Sequence, residues 1–179
     1  MRRTLLLIAL ASCVRGPTYS EELTPRQPTI FSDPSTGTLL GEHPRAVATA
    51  IASPPAAAWL AVKKVYSELE IPVTVENPGV HQIGNQNFYK SRQIAGRSMT
   101  EFVDCGNSMT GPKAATYRIY MSLLTDVIPD AQGGTTVQTT LVPMGQDMTG
   151  TSADRIVCAT TGRLEAYFLE RVKAGLGKT

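Results

Sequence analysis

Thiol and imidazole groups are the side chains of this sequence with the most chemistry to offer. The chain has three cysteines, Cys13, Cys105 and Cys158, and two histidines, His43 and His81. A cysteine beside a histidine can act as a nucleophile with its base, which makes His81 and Cys105 the one pair worth considering. No third group that would orient the imidazole is identifiable, so we predict no catalytic residues.

Metal binding is also poorly supported by the residue spacing. Neither histidine has a partner at the spacing of a zinc motif. Met144 and Met148 allow a copper(I) interpretation because thioethers are soft ligands, but methionine more often fills gaps in a core. The carboxylates are scattered, and any sheet protein offers pairs of them. We therefore predict no metal, no cofactor and no enzymatic activity.

The N-terminus has the form of an export signal. Arg2 and Arg3 precede a short apolar run and then small residues, which is the order found in secretory signals. The apolar run is far shorter than the roughly 20 residues that a permanent membrane-spanning helix needs. We therefore predict an exported protein without transmembrane segments.

The sequence LASC at residues 10–13 resembles the bacterial lipobox, in which a small residue precedes the cysteine. That resemblance implies removal of residues 1–12 as a lipoprotein signal peptide and acylation of Cys13, which becomes the new N-terminus. Several acyl chains anchor a protein stably where one would not. Residue 14 is valine rather than aspartate, which by the retention rule of double-membraned bacteria implies the periplasmic face of the outer membrane.

The net charge limits the classes of partner, and the number of cysteines indicates the compartment. The two signal arginines account for the whole formal charge of +2, so the mature chain is neutral and has no electrostatic footprint for nucleic acid. With Cys13 acylated, Cys105 and Cys158 are a pair in an oxidising compartment, which favours a disulfide. Two separate buried thiols are the alternative.

Composition divides the mature chain into two parts. Residues 13–44 are rich in Pro, Thr, Ser and Gly and have few large apolar residues, so we predict a lipid-anchored, flexible linker without regular structure. Residues 45–179 are predicted to form a single globular domain. Ile30-Phe31 and Leu39-Leu40 are apolar exceptions in the linker that could dock onto the domain or a partner.

The domain alternates between strand and helix patterns. Residues 45–51 suggest a first strand, and Ser53 is predicted to cap a helix with Trp59, Val62, Tyr66 and Leu69 on one face. Strands are predicted at 71–75, 80–83 and 98–105. The clearest hairpin joins 116–128 to 135–144, and a last helix opens at Thr161-Gly162 and stops at Gly175 and Gly177. The pattern predicts an α+β fold, a curved antiparallel sheet with two helices on one face.

One polar stretch with aromatic residues is our candidate recognition surface. It runs from 82 to 93 and contains Phe88, Tyr89, Lys90 and Arg92. Tyrosine and arginine are favoured anchors at interfaces, and loops held on a rigid sheet commonly bind partners. A solvated loop or an edge strand without a binding role is the alternative.

The lipobox, the long linker and a small helix-and-sheet domain with Trp59 on its first helix are similar to lipoproteins of the BamC kind. These are accessories of the machinery that assembles outer-membrane β-barrels. The similarity covers residues 45–176 once, whereas that family has two such domains, and no family motif aligns. It therefore implies an architecture and transfers no functional residues.

These observations rank three functions. The first is a non-enzymatic envelope lipoprotein that binds another envelope protein or serves as an assembly accessory. The second is a carrier for a small hydrophobic or lipid-like ligand held between sheet and helices. An enzyme comes third, because it would need a cleft joining His81 or several carboxylates with shifted pKa values.

Overall fold

The computed structural model describes residues 28–33, 37–42, 46–149 and 154–177. The helices are α1 (Pro55–Glu68), α2 (Met99–Phe102) and α3 (Arg163–Leu176), with 3-10 turns at Pro78–Val80 and Lys113–Ala115. The strands are β1 (Pro28–Asp33), β2 (Gly37–Glu42), β3 (Val47–Ile51), β4 (Val75–Asn77), β5 (Gln82–Ser91), β6 (Gln93–Ile94), β7 (Arg97–Ser98), β8 (Val103–Asp104), β9 (Asn107–Ser108), β10 (Gly111–Pro112), β11 (Arg118–Pro129), β12 (Thr135–Gln146), β13 (Arg155–Val157) and β14 (Ala159–Thr160).

An antiparallel sheet of six strands is the scaffold of the domain. Its central hairpin is β11–β12, two strands of 12 residues each in continuous register. On one side β11 pairs with β5, which in turn pairs with β4. On the other side β12 pairs with β3 along its first half and with β13 along its second half. The predicted hairpin is confirmed, and so is the first strand.

One face of this sheet forms the core. Alternate residues of β11 and β12 are buried, because successive side chains of a strand point to opposite faces. The buried set comprises Ile119, Met121, Leu123, Thr125 and Val127 in β11, and Thr135, Val137, Thr139, Leu141, Pro143 and Gly145 in β12. The alternation directs one apolar face toward the two long helices.

Helices α1 and α3 pack against that face and against each other. The predicted stripe of α1 is buried at Val62 and Tyr66, and α3 buries its four-residue repeat of Leu164, Phe168 and Val172. The Tyr66 and Phe168 rings meet edge to face with centroids 4.9 Å apart. The expected α+β architecture, with two helices on one face of an antiparallel sheet, is confirmed.

Some predicted helix ends differ from the structure. Ser53 does not cap α1: the capping position is Pro54, which makes no side-chain hydrogen bond, and Pro55 is the first helical residue. Proline suits this position because its fixed φ and missing N–H cost nothing in a first turn. Gly175 does not stop α3, which continues to Leu176 and is capped by Gly177.

The predicted strand at 98–105 is wrong in its centre, where the structure has the one-turn helix α2. The Ser98 hydroxyl accepts a hydrogen bond from the Thr100 backbone N–H, as a helix cap does. Met99 and Phe102, three residues apart, are then buried on the same side of the turn. The local cap therefore overrides the alternating pattern that we interpreted as a strand.

Strand β5 also differs from its prediction. It extends over ten residues; residues 82–84 lie between β4 and β11, whereas residues 85–91 have β11 as their one strand neighbour among the described residues, so this half is an edge strand rather than a loop. Its register with β11 shifts between Met121 and Leu123, where β5 accommodates Gln86 and Asn87. The Asn85 amide fixes this bulge, because its oxygen accepts a hydrogen bond from the Asn87 N–H and its nitrogen donates to the Pro72 carbonyl.

A buried polar network ties α1 to the sheet. The Tyr66 hydroxyl lies 3.1 Å from the Leu123 carbonyl oxygen and 3.0 Å from Thr125 Oγ1, which is 3.1 Å from Thr139 Oγ1. Burial raises the pKa of the Tyr66 phenol far above its ordinary value. Glycine is required at residue 84, since a Cβ there would lie 2.2 Å from the Leu123 carbonyl oxygen and 2.9 Å from the Tyr66 hydroxyl.

A disulfide joins Cys105 to Cys158, as predicted. Strands β8 and β14 pair Asp104 with Ala159, so the next residues in register are the two cysteines. The bridge packs on β12 at Gly145, where a Cβ would lie 3.1 Å from the Cys158 sulfur. The small β8–β14 sheet and its disulfide are thereby fastened to the end of the main hairpin.

Part of the predicted linker has regular structure. Strands β1 and β2 pair antiparallel as a separate two-stranded sheet. In the sequence, the two apolar pairs Ile30-Phe31 and Leu39-Leu40 flank a Pro-Ser-Thr-Gly turn segment, which is a hairpin pattern that we did not recognise. Among the described residues, no helix combines the length and the apolar character needed to cross a bilayer. Residues 1–12 and Cys13 lie outside the described residues.

Candidate functional site

The open face of the sheet, opposite α1 and α3, carries the most distinctive surface chemistry of the described residues. Positions alternating with the core of β11 and β12 are half-buried or exposed along the whole hairpin. In the register, Arg118 pairs with Gln146 and Gln146 with Arg155, so the two arginines lie in one row across the sheet. Strand pairing therefore brings together cations that are 37 residues apart in the sequence.

An aromatic row lies beside the arginines. Tyr120 pairs with Tyr89 on one side and with Met144 on the other, and Met144 pairs with Val157. Tyr89 is 56% exposed and Val157 is 47% exposed. This row supplies apolar contact area next to the guanidinium groups.

The two rows are stacked on each other. The Arg118 guanidinium carbon lies 4.8 Å from the ring centroid of Tyr89, and the Arg155 carbon lies 3.7 Å from that of Tyr120. The two tyrosine rings are tilted with centroids 5.8 Å apart. Stacking of this kind fixes the plane of a guanidinium and leaves its N–H edge available to an acceptor. We call Tyr89, Arg118, Tyr120 and Arg155 the Arg–Tyr stack.

The stack is electropositive. Hydrogen bonding from Arg118 and its positive charge, followed by the charge of Arg155, lower the pKa of the Tyr120 hydroxyl. Among the residues that the structure describes, four arginine or lysine side chains form ion pairs with carboxylates: Lys63, Lys90, Arg97 and Arg171. Neither arginine of the stack is one of them. The Arg118 Nε is buried and has no acceptor within that part of the chain.

Polarity changes along the open face. Val142, 38% exposed, lies beyond the aromatic row, and Asp126 with Gln82 lies nearer the hairpin turn. The Gln82 amide donates to Asp126 Oδ1 over 3.0 Å, so this carboxylate has a neutral partner within the same face. The face is thus basic and aromatic at the Arg155 end and weakly acidic at the other.

The structure separates the four residues of the predicted recognition surface. Phe88 is only 7% exposed and belongs to the core, because it pairs with Met121 on the helix-covered side of the sheet. Tyr89 belongs to the open face. Phe88 is therefore removed from the candidate surface, and Tyr89 is kept.

Lys90 lies on the helix-covered side of β5, where it pairs with Ile119, and Arg92 lies beyond the end of β5. The Lys90 ammonium donates to the Glu70 carbonyl oxygen at 3.2 Å and is 3.6 Å from the Glu70 carboxylate. Arg92 is exposed between β5 and β6, where its φ of 65° marks a tight turn. Phe88, Tyr89 and Lys90 also line an open groove of about 280 Å³ beside Glu70 and Pro72.

Arg118, Tyr120 and Arg155 are not among the site residues predicted from the sequence. We interpreted the first two as parts of an apolar strand and did not separate its two faces. The signal that could have identified them is the two-residue alternation itself, which sets Arg118 and Tyr120 apart from the buried Ile119 and Met121. The position of Arg155 depends on the pairing of β13 with β12, which no local pattern specifies.

The thiol and metal hypotheses can be placed on the structure. Cys105 is bonded to Cys158, so in this oxidised state it is not a nucleophile for His81. His81 lies in a left-handed turn after the 3-10 helix that starts at Pro78. Within the described ranges, no group of three His, Cys, Asp or Glu side chains is arranged to hold a metal ion.

A buried carboxylic acid lies apart from the open face. Glu165, in the first turn of α3, is fully buried. Its Oε1 accepts a 2.7 Å hydrogen bond from the Thr160 hydroxyl, and its Oε2 has no partner among the described residues. Burial raises the pKa of this carboxyl above its ordinary value of 4.5.

No protein-family model matches the chain, and comparison with curated proteins gives no significant match. The open face is therefore interpreted from its own geometry.

Proposed function

We propose that this chain is an exported lipoprotein of the bacterial envelope, anchored through acyl chains on Cys13. The arginines, apolar run and lipobox-like LASC sequence of residues 1–13 support the proposal. The Cys105–Cys158 disulfide supports export as well, because disulfides persist in oxidising compartments. The location that follows is the periplasmic face of the outer membrane.

The anchored domain acts as a non-enzymatic binding module or assembly accessory for another envelope protein. The observation that carries this proposal is the open face of the sheet, where the Arg–Tyr stack lies next to exposed apolar side chains. Arginine and tyrosine are enriched at the energetic centres of protein interfaces. The stretch between Cys13 and β3, which includes the β1–β2 sheet, would hold the domain away from the membrane surface, where it can meet a partner.

The carrier hypothesis has less support. The space between sheet and helices is filled by large buried side chains, including Tyr66, Phe102, Phe168 and Leu141. In the described part of the chain, the two best-formed concavities are the open groove beside Lys90 and a smaller depression of about 60 Å³ beside Arg171. Neither is an enclosed apolar site of the 300–1,000 Å³ typical for small ligands.

The anchor is tested by the intact mass of the protein extracted from membranes, with thiols alkylated before and after unfolding. We expect loss of residues 1–12, added acyl mass on Cys13, and no label on Cys105 or Cys158 before reduction. A Cys13→Ser variant should lose the acyl mass and leave the membrane fraction. An unprocessed chain with all thiols labelled would contradict both the anchor and the envelope location.

The binding surface is tested by photo-crosslinking in the native cells. A benzophenone amino acid placed at Val142 on the open face is expected to give a discrete adduct with one partner protein. The matched control places it at Glu170, an exposed residue of α3 on the opposite side of the domain. Equal adducts from both positions, or none from Val142, would refute the open face as the binding surface.

A further inference from the structure

The Arg–Tyr stack has features that specify the chemistry of what binds there. Two guanidinium groups lie in one row of the sheet, each against a tyrosine ring. Within the described ranges neither is neutralised by a carboxylate, although four other cationic side chains of the domain are. The stack is therefore a preformed cationic site to which the described residues supply no carboxylate counterion.

The geometry of the donors favours a planar oxyanion. A guanidinium donates two parallel hydrogen bonds to a carboxylate, which a lysine ammonium cannot do. Stacking on Tyr89 and Tyr120 already restricts the two arginine side chains, so less conformational entropy is lost when an acceptor arrives.

The surroundings of the stack distinguish a protein segment from other polyanions. Met144 and Val157 continue the aromatic row, and Val142 is exposed beyond it. These apolar side chains suit a partner with alternating acidic and apolar residues. Nucleic acid or an anionic lipid surface would instead require a broad basic patch, whereas the same face carries Asp126 toward its other end.

We propose that the Arg–Tyr stack binds a carboxylate side chain from an acidic, extended segment of the protein partner, whose neighbouring apolar side chains pack on Met144, Val142 and Val157. This inference rests on the proposed binding function and specifies the chemical class of the partner. The glutamate or aspartate of the segment lies between Arg118 and Arg155, and the Tyr120 hydroxyl borders the same position.

The test uses the full chain, with its disulfide intact, in a neutral detergent. It is titrated with a ten-residue peptide of alternating Glu and Val, and with a matched peptide of alternating Gln and Val. Binding is followed by NMR through the Nε–H signals of Arg118 and Arg155. We expect these two signals to shift with the Glu peptide, and the Gln peptide to bind at least about tenfold more weakly, because its neutral amides cannot accept charge-assisted hydrogen bonds from two guanidinium groups.

Variants assign the effect to the stack. Arg118→Gln and Arg155→Gln should each weaken binding of the Glu peptide about tenfold or more. Arg118→Lys should restore only part of the loss, because lysine keeps the positive charge but lacks the two parallel N–H donors of a guanidinium group. The matched control is Arg163→Gln, which removes one arginine charge from exposed α3 and should leave binding unchanged. Unchanged thermal unfolding midpoints verify that each variant is folded.

Three outcomes of the peptide titrations overturn the proposal. These are equal affinity for the Glu and Gln peptides, no binding of the Glu peptide, and unchanged affinity after Arg118→Gln and Arg155→Gln. Tighter Arg118-dependent binding of a ten-nucleotide oligothymidylate or of phosphatidylglycerol vesicles would also overturn it in favour of a phosphate partner. The Val142 crosslink detects any partner whatever its charge, so a crosslink with a failed titration would preserve the binding function and reject only the acidic segment.

Discussion

The two faces of the central sheet use their polar groups in opposite ways. On the helix-covered face, Tyr66, Thr125 and Thr139 satisfy one another within the core. On the open face, Arg118 and Arg155 stack on tyrosine rings and have no carboxylate partner among the described residues. Polar groups that pair with one another inside the core are typical of a structural network, whereas arginines without a carboxylate partner on an open face are typical of a binding surface.

The same two strands supply both faces. Along β11, the buried residues Ile119, Met121 and Leu123 alternate with Arg118 and Tyr120 of the open face. Neighbouring residues in the sequence therefore have different roles, core packing for one set and surface chemistry for the other. Substitutions on the covered face should therefore change stability, and substitutions on the open face should change binding.

Removing the disulfide should cost the most. The disulfide links residues that are 53 positions apart in the sequence, and it restricts the unfolded chain. A Cys105→Ala/Cys158→Ala variant should therefore have a free energy of unfolding about 4 kcal/mol lower than the wild type. Chemical denaturation of the variant and of the wild type, with and without a reducing agent, measures this change. Reduction should bring the wild type close to the variant and leave the variant unaffected. Equal stability of oxidised wild type and variant would contradict a structural role for the bridge.

Adding one methyl group at Gly84 should be nearly as damaging. A Cβ would lie 2.2 Å from the Leu123 carbonyl oxygen, so Gly84→Ala must displace β5 from β11 at a cost of about 3 kcal/mol. The matched control is Gly79→Ala, where the nearest atom to a Cβ is the Asn77 side-chain oxygen at 3.4 Å. Comparison of the two thermal midpoints measures the difference. Equal thermal midpoints for the two variants would contradict the close packing of Tyr66 against β5 and β11.

The buried Glu165 should make stability depend on pH. Because its pKa is raised in the folded state, the folded protein binds this proton more tightly than the unfolded chain does. Stability should therefore fall as the pH rises from the ordinary value of 4.5 toward the raised pKa, and then level off. Glu165→Gln stays neutral and should lose this decline.

Thermal midpoints from pH 4 to pH 8 compare the wild type with Glu165→Gln and with Glu170→Gln, an exposed control on the same helix. Only the Glu165→Gln curve should diverge from the wild type, by gaining relative stability as the pH rises. Three parallel curves would show that Glu165 is not buried as a neutral acid.

Substitutions on the open face should have the smallest effect on stability. Tyr89→Ser and Arg155→Gln remove exposed side chains, so each should change the free energy of unfolding by less than about 0.5 kcal/mol. Denaturant midpoints check this. A loss of 2 kcal/mol or more for either variant would mean that the stack supports the fold, and the division between the two faces would fail.

The sequence predicted the architecture better than the surface. Periodicity identified both long helices and the β11–β12 hairpin, because burial of one face imposes a regular apolar repeat. It failed at 98–105, where the local cap at Ser98 forms α2, and in β5, whose polar residues Gln86 and Asn87 belong to a bulge in the pairing with β11. Both errors arise where a local hydrogen bond overrides the apolar pattern.

The candidate surface was predicted only at Tyr89. Phe88 is core and Tyr89 is surface because β5 alternates, and the register that decides between them depends on contacts with β11. Arg155 joins the stack only through the pairing of β13 with β12. The sequence predicts local elements, but a surface assembled from three strands depends on tertiary pairing.

The central claim is that the open face binds a protein partner through the Arg–Tyr stack. The most direct measurement is the yield of the Val142 photo-crosslink in native cells, compared between the wild type and the Arg118→Gln and Arg163→Gln variants at equal expression. The claim predicts one discrete adduct that persists in Arg163→Gln and falls about tenfold or more in Arg118→Gln. An adduct of equal yield in all three proteins, or no adduct in any of them, would contradict it.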